Sequence, residues 1–373
     1  MGGFQGTHLD VVFPRRSASS VDRLLAAAAR MPWAWRLQSV GLRPPRLPVV
    51  DAHSHLNSAF AGAWRGRPAR EVVAALDRAN VRCLVDMDGG HGEGLSAEIA
   101  RLQAPYPDRI AVFAGIDSAK IRHDPDFGAT EAARLVDSVR RGARGLKIWK
   151  SLGLSVVDPA GRLLALDDAR LDPLWHQAAR LSVPVVIHIA DPASFFEPVD
   201  ERNERSVELR RHPEWSYLPT RPSPAEPGFP SRAELIDQFV RLLGRHPETV
   251  FIGAHLASCS DDLERLSALL LARPNLHVDI AARVNELGRQ PVVARRFLTT
   301  FPDRVLFGTD AGPDPRWYAL YARFLETTTR GMSYSISRRP LQGHWTIDGL
   351  GLDDEVLRRL YSDNARRLIR FGE

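Results

Sequence analysis

The sequence lacks any uninterrupted apolar stretch of the roughly 18 to 20 residues that a membrane-crossing helix needs. Its first residues, 1–5, lack the basic and then apolar segments of a secretory signal. The two cysteines, Cys83 and Cys259, belong to no CxxC pair, which excludes a disulfide scaffold and a cysteine-rich zinc site. We therefore expect a cytoplasmic protein with no membrane partner, in which each cysteine is a small buried hydrophobe.

Lysine is scarce as well. The three lysines are Lys120, Lys147 and Lys150, so 47 of the 50 basic residues are arginines. The formal net charge of +5 comes from 50 basic against 45 acidic residues, with no dense run of cations. A nucleic-acid-binding protein would show a clustered basic footprint, so we expect no nucleic-acid partner. With 44% hydrophobic and 25% charged residues, the chain is expected to be globular rather than disordered or fibrous.

Eight short apolar runs alternate with amphipathic stretches along the chain. The predicted strands are 48–55, 81–87, 110–117, 144–149, 183–190, 250–255, 276–281 and 305–310. The predicted helices are 69–79, 96–103, 130–141, 172–181, 231–243, 261–272, 291–300 and 353–370. This alternation indicates parallel strands with helical crossovers. Eight such units predict an α/β fold closed into a (β/α)₈ TIM barrel, with a doubly wound open sheet as the alternative.

Two connections are too long to be simple turns. Residues 191–230, after the fifth strand, hold eight of the 27 prolines, and residues 311–350, after the eighth, are rich in tryptophan and tyrosine. Both follow strand ends at the mouth where barrel enzymes carry their chemistry, so we predict ordered, lid-like insertions. Residues 48–373 would form the barrel and residues 1–47 an N-terminal extension. Its amphipathic stretch 21–37 would pack across the barrel bottom or on a neighbouring subunit.

The first predicted strand ends in Val50-Asp51-Ala52-His53-Ser54-His55. Positions i and i+2 of a strand share a face and lie about 6.6 Å apart, so His53 and His55 can converge on one ion. An isolated HxH pair also arises by chance and in satisfied structural pairs. The pair therefore needs support from other strands.

That support comes from three further strand ends, at His188, His255 and Asp310. Histidine fills 12 of 373 positions, about one in thirty, so its recurrence at strand ends indicates a cluster. The pattern predicts several imidazoles and one carboxylate at the mouth, a ligand set suited to Zn²⁺, Mn²⁺ or Fe²⁺. For His255 alone, the alternative is a core histidine bonded to a backbone carbonyl.

This order of residues, with Lys147 on the fourth strand, resembles that of the amidohydrolase superfamily. Segments 50–55, 307–310 and 364–368 are similar to the branch that contains aminocarboxymuconate-semialdehyde decarboxylase and related hydrolases, lactonases and hydratases. The resemblance spans about residues 48–370. It implies a metal-dependent barrel enzyme and makes a homodimer the default expectation.

Carried over residue by residue, the resemblance makes His53, His55, His188 and Asp310 metal ligands. His255 would be a second ligand or a base that polarises the substrate. Asp310 would accept a proton from a metal-activated water and return it to a leaving group. The expected cofactor is a divalent metal, above all zinc, with manganese and iron as alternatives.

Lys147 lies in Gly145-Leu146-Lys147-Ile148-Trp149, where alternation turns Lys147 and Trp149 away from the helix-facing Leu146 and Ile148. Lys147 therefore points inward. It would either bridge two metals as a carbamate or remain an amine that binds a substrate carboxylate or pairs with an acid. The site would accordingly hold one or two ions per chain.

Further residues near the mouth are candidates for substrate binding. Arg283, after the seventh strand, would clamp an anionic group bidentately or, equally, pair with Glu286. Trp149 would stack on a substrate ring or fill the core. Asp117 ends the third strand, and Asp86 and Asp88 follow the second.

The leading functional hypothesis is a metal-dependent hydrolase that cleaves an amide, ester or lactone bond in a small molecule through metal-activated water. The alternative keeps the site and changes the reaction to non-oxidative decarboxylation of an aromatic or unsaturated acid. A third class is a binding or scaffold protein with a structural metal, which would normally close its site with four protein ligands.

Overall fold

A computed structural model describes residues 43–218, 228–337, 340, 342–343 and 345–372, without the side chains of 59 and 60. The predicted amphipathic stretch 21–37, and most of the predicted extension 1–47, lie outside the described residues.

The strands form a parallel barrel, as the alternating pattern predicts. They are β1 (Val49–Ser54), β2 (Val81–Asp86), β3 (Ile110–Val112), β4 (Ala114–Gly115), β5 (Leu146–Ile148), β6 (Val185–Ile187), β7 (Phe251–Gly253), β8 (Leu276–Asp279) and β9 (Val305–Leu306). Their order is β1-β2-β3 in one sheet and β4 to β9 in the next. Nearly every strand residue is buried, because helices cover the outer face of the barrel and side chains fill the inner one.

The predicted third strand, 110–117, is divided at Phe113. The Phe113 amide donates to the Asp86 carbonyl oxygen at 2.9 Å, whereas the next amide, of Ala114, donates to the Gly145 carbonyl oxygen at 2.9 Å. β3 therefore pairs with β2 and β4 pairs with β5. Together, β3 and β4 occupy one of eight strand positions around the barrel.

The barrel closes between β1 and the segment after β9. The Ala52 amide donates to the Phe307 carbonyl oxygen at 2.9 Å, and the Asp310 amide donates to the His53 carbonyl oxygen at 2.8 Å. Gly308 permits this approach, because a Cβ there would lie 2.8 Å from the His53 Cβ. The open-sheet alternative is therefore wrong.

Helices lie between and after the strands. They are α1 (Ala69–Arg78), α2 (Gly92–Glu98), α3 (Ser118–Ile121), α4 (Phe127–Arg141), α5 (Asp172–Leu181), α6 (Ser206–Arg211), α7 (Arg232–Arg245), α8 (Leu263–Ala272), α9 (Val284–Gly288), α10 (Pro291–Thr300), α11 (Pro315–Glu326), α12 (Asp354–Arg358) and α13 (Asn364–Leu368). Wider π-helical turns extend α2 and join α12 to α13. On α1, buried Val72, Val73 and Leu76 follow the helical spacing of one apolar face.

Helix α11 was not anticipated, because 311–350 was interpreted as an insertion throughout. The Asp314 side chain accepts a hydrogen bond from the Arg316 amide, and Pro315 occupies the first turn, where a missing N–H costs nothing. Tyr318, Tyr321 and Leu325 then recur at helical spacing and are buried. Proline after aspartate, followed by this spacing, was the available signal.

Segment 191–218 of the other predicted insertion is packed rather than irregular. It contains α6, and the Tyr217 amide donates to the Phe195 carbonyl oxygen at 2.8 Å. Phe195 also stacks on Trp215, with ring centroids 6.5 Å apart. The lid role of both insertions stays a prediction.

Two expectations from composition concern the cysteines and the membrane. Cys83 and Cys259 are free and buried, as predicted. Among the residues that the structure describes, no helix combines the length and the apolar character that crossing a bilayer requires.

His277 on β8 makes folding stability sensitive to acid. Burial, and then the charges of Arg304 and Arg367, lower its pKa from 6.5 to about 4. The folded state thus disfavours the protonated imidazole that the unfolded chain accepts, so stability is lost as the pH falls from about 6.5 to about 4. We expect wild type to lose about 3 kcal/mol more than His277→Gln over this range, measured by urea unfolding with chelator present.

The control for this prediction is His123→Gln, at an exposed position. It should follow the wild-type pH profile. Equal acid sensitivity in wild type and His277→Gln would contradict the assignment.

Candidate metal centre

His53 lies on β1 and His55 follows the end of that strand, both with buried side chains. The Nδ1 atom of His53 lies 2.9 Å from Asp279 Oδ2, and that of His55 lies 2.7 Å from Asp88 Oδ1. A carboxylate that accepts the proton of Nδ1 fixes the ring and leaves the Nε2 lone pair free for a metal. In both histidines the Nδ1 atom is engaged by a carboxylate, an arrangement that orients Nε2 toward Asp310.

Asp310 completes a set of converging ligand atoms. Its Oδ1 lies 3.3 Å from His53 Nε2 and 3.1 Å from His55 Nε2. The three ligand atoms all lie within 4.8 Å of one another. Two imidazoles and a carboxylate suit Zn²⁺, Mn²⁺ or Fe²⁺, so the residues present fit the divalent metal that the sequence predicts.

The charges at this site favour a bound cation. Burial lowers the pKa of His55, but hydrogen bonds to Asp310 and Asp88 outweigh burial and raise it to about 9. Burial opposes ionisation of Asp310 as well, yet the histidines around it hold its pKa well below the usual range. Asp88 and Asp310 thus stabilise a positive charge between them. A divalent ion would supply that charge in place of the proton on His55.

A second group comprises His53, His255 and Asp279. Here both Asp279 oxygens already accept protein hydrogen bonds, one from His53 Nδ1 and the other from the His255 amide at 2.9 Å. His255 Nδ1 donates to the Ala281 carbonyl oxygen at 2.8 Å, which leaves its Nε2 free. We interpret Asp279 as the support that orients both histidines rather than as a metal ligand.

The backbone at the site is strained. Four consecutive residues, His255 to Ser258, have φ values between 51° and 60°, and Asp310 has a φ of 63°. Such left-handed conformations cost about 1 to 2 kcal/mol per non-glycine residue. The hydroxyl of Ser258 donates to the Ala190 carbonyl oxygen and accepts from its amide, which helps hold the turn that presents His255. Strain held by such contacts is typical of functional sites.

Lys147 points inward, as predicted, and is fully buried. Its Nζ lies 3.2 Å from His53 Nε2 and 5.3 Å from the centroid of the Trp149 ring. Burial lowers the pKa of Lys147 to about 8, which favours the neutral amine that carbamate formation needs. Its carbamylation stays a prediction.

His188 lies beside this centre rather than within either group. Its ring centroid is 4.4 Å from that of His255, and its Nε2 lies 3.4 Å from Asp191 Oδ1. Burial lowers its pKa to about 4, so the ring is neutral near pH 7. Its predicted role as a metal ligand is neither supported nor excluded by these distances and stays a prediction.

The three predicted substrate-binding residues occupy different places. Trp149 is half-buried, with its ring centroid 5.3 Å from that of His55. The Asp117 carboxylate lies 3.3 Å from Lys120 Nζ, in a charged cluster separate from the histidines. Trp149 therefore lies beside the centre, while Asp117 has ion-pair partners elsewhere.

Arg283 is 6% exposed, and its guanidinium donates to the Ala282 carbonyl oxygen at 2.9 Å. Glu286 pairs instead with Arg205, so the Arg283–Glu286 pair considered from the sequence is not formed. Within the described part of the chain, no carboxylate lies within ion-pair distance of Arg283. Its role in substrate binding stays a prediction.

Several site residues were missed. Asp279 occupies the end of β8, so the strand-end criterion that selected His188 would also have selected it. Asp191, Lys150 and Arg205 had no comparable signal. Lys150 pairs with Asp191, 41 positions away, and Arg205 pairs with Glu286, 81 positions away, contacts that only folding creates.

The family model described as Amidohydrolase matches residues 50–371. Because this match covers most of the sequence, the chain belongs to the amidohydrolase family, as its residues indicated. The comparison with curated proteins gave no match.

Solved structures share the fold at low identity. An uncharacterized TIM-barrel protein from Bordetella bronchiseptica has a TM-score of 0.52 and 15% identity, covering 86% of this chain and 98% of that one. A putative amidohydrolase from Staphylococcus aureus has a TM-score of 0.52 and 16% identity, covering 87% and 99%. A dihydroxybenzoic acid decarboxylase from Polaromonas sp. JS666, with bound manganese and 2-nitroresorcinol, has a TM-score of 0.53 and 14% identity, covering 86% and 96%. These likenesses support the barrel fold.

Asp279 should govern metal affinity without binding the metal. Asp279→Asn keeps the shape but removes the charge that fixes the His53 tautomer, so the affinity for Zn²⁺ should fall 10- to 100-fold. Competition with a chromophoric chelator measures this change. Asp117→Asn, which alters a similarly buried carboxylate outside the centre, should bind Zn²⁺ like wild type. An equal loss in both variants, or none in Asp279→Asn, would contradict this assignment.

Proposed function

We propose that this chain is a metal-dependent hydrolase that cleaves an amide, ester or lactone bond in a small molecule. Membership of the amidohydrolase family supports general metal-dependent chemistry of this type. The observation that carries the proposal is the convergence of His53, His55 and Asp310 at the mouth of the barrel. Of these side chains, only Asp310 is substantially exposed, at 27%, so it can meet a substrate.

His53, His55 and Asp310 would hold the ion, with Zn²⁺ expected first and Mn²⁺ or Fe²⁺ as alternatives. A divalent metal supplies a water molecule of lowered pKa and a Lewis acid for a carbonyl oxygen. Asp310 is placed to accept a proton from water and to return it to the leaving group. His255 can accept a hydrogen bond through Nε2, because its Nδ1 donates to a backbone carbonyl.

Arg283 supports a substrate that carries an anionic group. A buried guanidinium without a carboxylate partner is costly, so a substrate carboxylate would satisfy it. Trp149 would contact the substrate beside His55, and substrate binding by Asp117 stays a proposal that rests on the sequence. We also retain a cytoplasmic homodimer as a proposal, which rests on the sequence and the resemblance.

Decarboxylation is the second candidate, and one observation favours it. The cavity beside Asp310 is lined by the paired cations Lys150 and Arg205 and by Arg283, which has no carboxylate partner among the described residues and suits a substrate whose reacting group is itself a carboxylate. Asp310 or His255 would then protonate carbon as CO₂ leaves. Consumption of water separates the two reactions.

Hydrolysis in H₂¹⁸O should place one ¹⁸O atom in the acid product and release no CO₂. We would supply metal-loaded enzyme with a panel of carboxylate-bearing esters, amides, lactones and unsaturated acids, and analyse products by mass spectrometry. Asp310→Asn, with its metal content verified, should lose at least about 100-fold in kcat because proton transfer is removed. CO₂ release without ¹⁸O incorporation would replace the proposal with decarboxylation, and no turnover would reject both.

Metal stoichiometry tests the state of Lys147. Of the two groups of ligand atoms among the described residues, the one with Asp279 uses that carboxylate to support the histidines, so we expect one ion per chain by elemental analysis, with or without bicarbonate. Lys147→Met and Lys147→Arg should keep that ratio. A ratio near two in wild type with bicarbonate, falling in both variants, would instead establish a carbamate that bridges two ions.

A further inference from the structure

Two cavities meet at Asp310. The first, of about 240 Å³, is lined by Lys150, His188, Arg205, His255 and Arg283, and we call it the polar chamber. The second, of about 340 Å³, is lined by Val284, Trp317, Tyr321, Tyr334 and Ile336, and we call it the apolar chamber. Asp310 lines both, together with Glu208, Ala282 and Gln342.

The two tyrosines of the apolar chamber present their rings rather than their hydroxyls. The Tyr321 hydroxyl accepts from the Ala282 amide at 3.0 Å and donates to the Ile280 carbonyl oxygen, and the Tyr334 hydroxyl donates to the Gly343 carbonyl oxygen at 2.8 Å. Backbone groups thus engage both phenols. The polar Asn285 and Thr309 also line the chamber, but they donate to Gln342 and Asp51, and most of the wall is apolar, so an apolar group gains free energy from burial there.

The polar chamber contains one cation without an acidic partner. Lys150 pairs with Asp191, and Arg205 pairs with Glu286 and with Glu208. Arg283 has no such carboxylate among the described residues. Its guanidinium is therefore the group in this chamber with which a ligand carboxylate can pair.

We propose that the ligand of this site is a small carboxylic acid bearing an apolar substituent. Its carboxylate lies against Arg283, its reacting bond lies at Asp310, and its substituent fills the apolar chamber. The identification of the reacting bond rests on the proposed function, whereas the division of the ligand between two chambers does not. The apolar chamber, built largely from α11 and the segment after it, sets the length of substituent that the enzyme accepts.

The test uses trans-4-alkylcyclohexanecarboxylates with methyl to pentyl substituents. These acids have neither a hydrolysable bond nor unsaturation, so calorimetry with metal-loaded enzyme measures binding without turnover. Each added methylene should tighten binding about fourfold until the chamber is full. A wild-type affinity that does not change from methyl to pentyl would overturn the proposal.

Variants assign each part of the ligand to its chamber. Ile336→Asp should abolish the gain in affinity with chain length, and Trp317→Ala, which enlarges the chamber, should extend that gain to longer substituents. Val292→Asp, at an 81% exposed apolar residue, should leave the series unchanged. Arg283→Gln should lower the affinity for every acid by a similar factor of about 10, and the affinity should still increase with chain length. Alcohols of matching shape should bind wild type more weakly than the acids.

Two results would contradict the assignment. If acids and alcohols bind equally well, the ligand carboxylate does not contact Arg283. If the affinity of Ile336→Asp still increases with chain length as in wild type, the substituent does not lie in the apolar chamber. A rising series in an enzyme that fails the hydrolysis experiment would support the two chambers and count against the proposed reaction alone.

Discussion

The hydrogen bonds that close the barrel between β1 and the segment after β9 are the constraint on which the site depends. The Asp310 amide donates to the His53 carbonyl oxygen, so the residues that supply the histidines and the carboxylate are tied through the backbone itself. The Asp51 carboxylate strengthens the same seam by accepting from the Thr309 amide and hydroxyl and from the Tyr318 hydroxyl. His55 and Asp310, which are 255 positions apart, thereby have side-chain atoms about 3 Å apart.

A second requirement is the support of each histidine by a group behind it. Asp279, Asp88 and the Ala281 carbonyl oxygen each take one ring Nδ1, so three Nε2 atoms are directed into the site. Buried imidazoles without such partners would have alternative orientations and tautomers. The left-handed backbone at His255 and Asp310 gives each side chain a direction different from the one that a continuing strand would give it. Packing and hydrogen bonding offset the cost of this strain.

Much of the architecture was predictable because it depends on local patterns. Apolar runs and amphipathic stretches identified all eight strand positions, and strand-end side chains identified His53, His55 and Asp310. The division of the third strand at Phe113 was not predictable, because it reflects a change of hydrogen-bonding partner. Helix α11 was missed for another reason: its aromatic residues, which suggest a lid, are also the residues that pack it on the barrel.

The sequence by itself determined the fold class and the residue types at the mouth, because strand alternation and barrel topology bring strand ends together without further information. The family followed from the resemblance of its motifs. Only the tertiary structure decided which nitrogen of each histidine its supporting group takes, which arginine lacks a carboxylate partner among the described residues, and how the cavity divides. Those properties depend on distances of a few ångströms between side chains far apart in the chain. Arg283 illustrates this difference. The sequence made an ion pair with its neighbour Glu286 as plausible as substrate binding, but in the fold Glu286 pairs with Arg205.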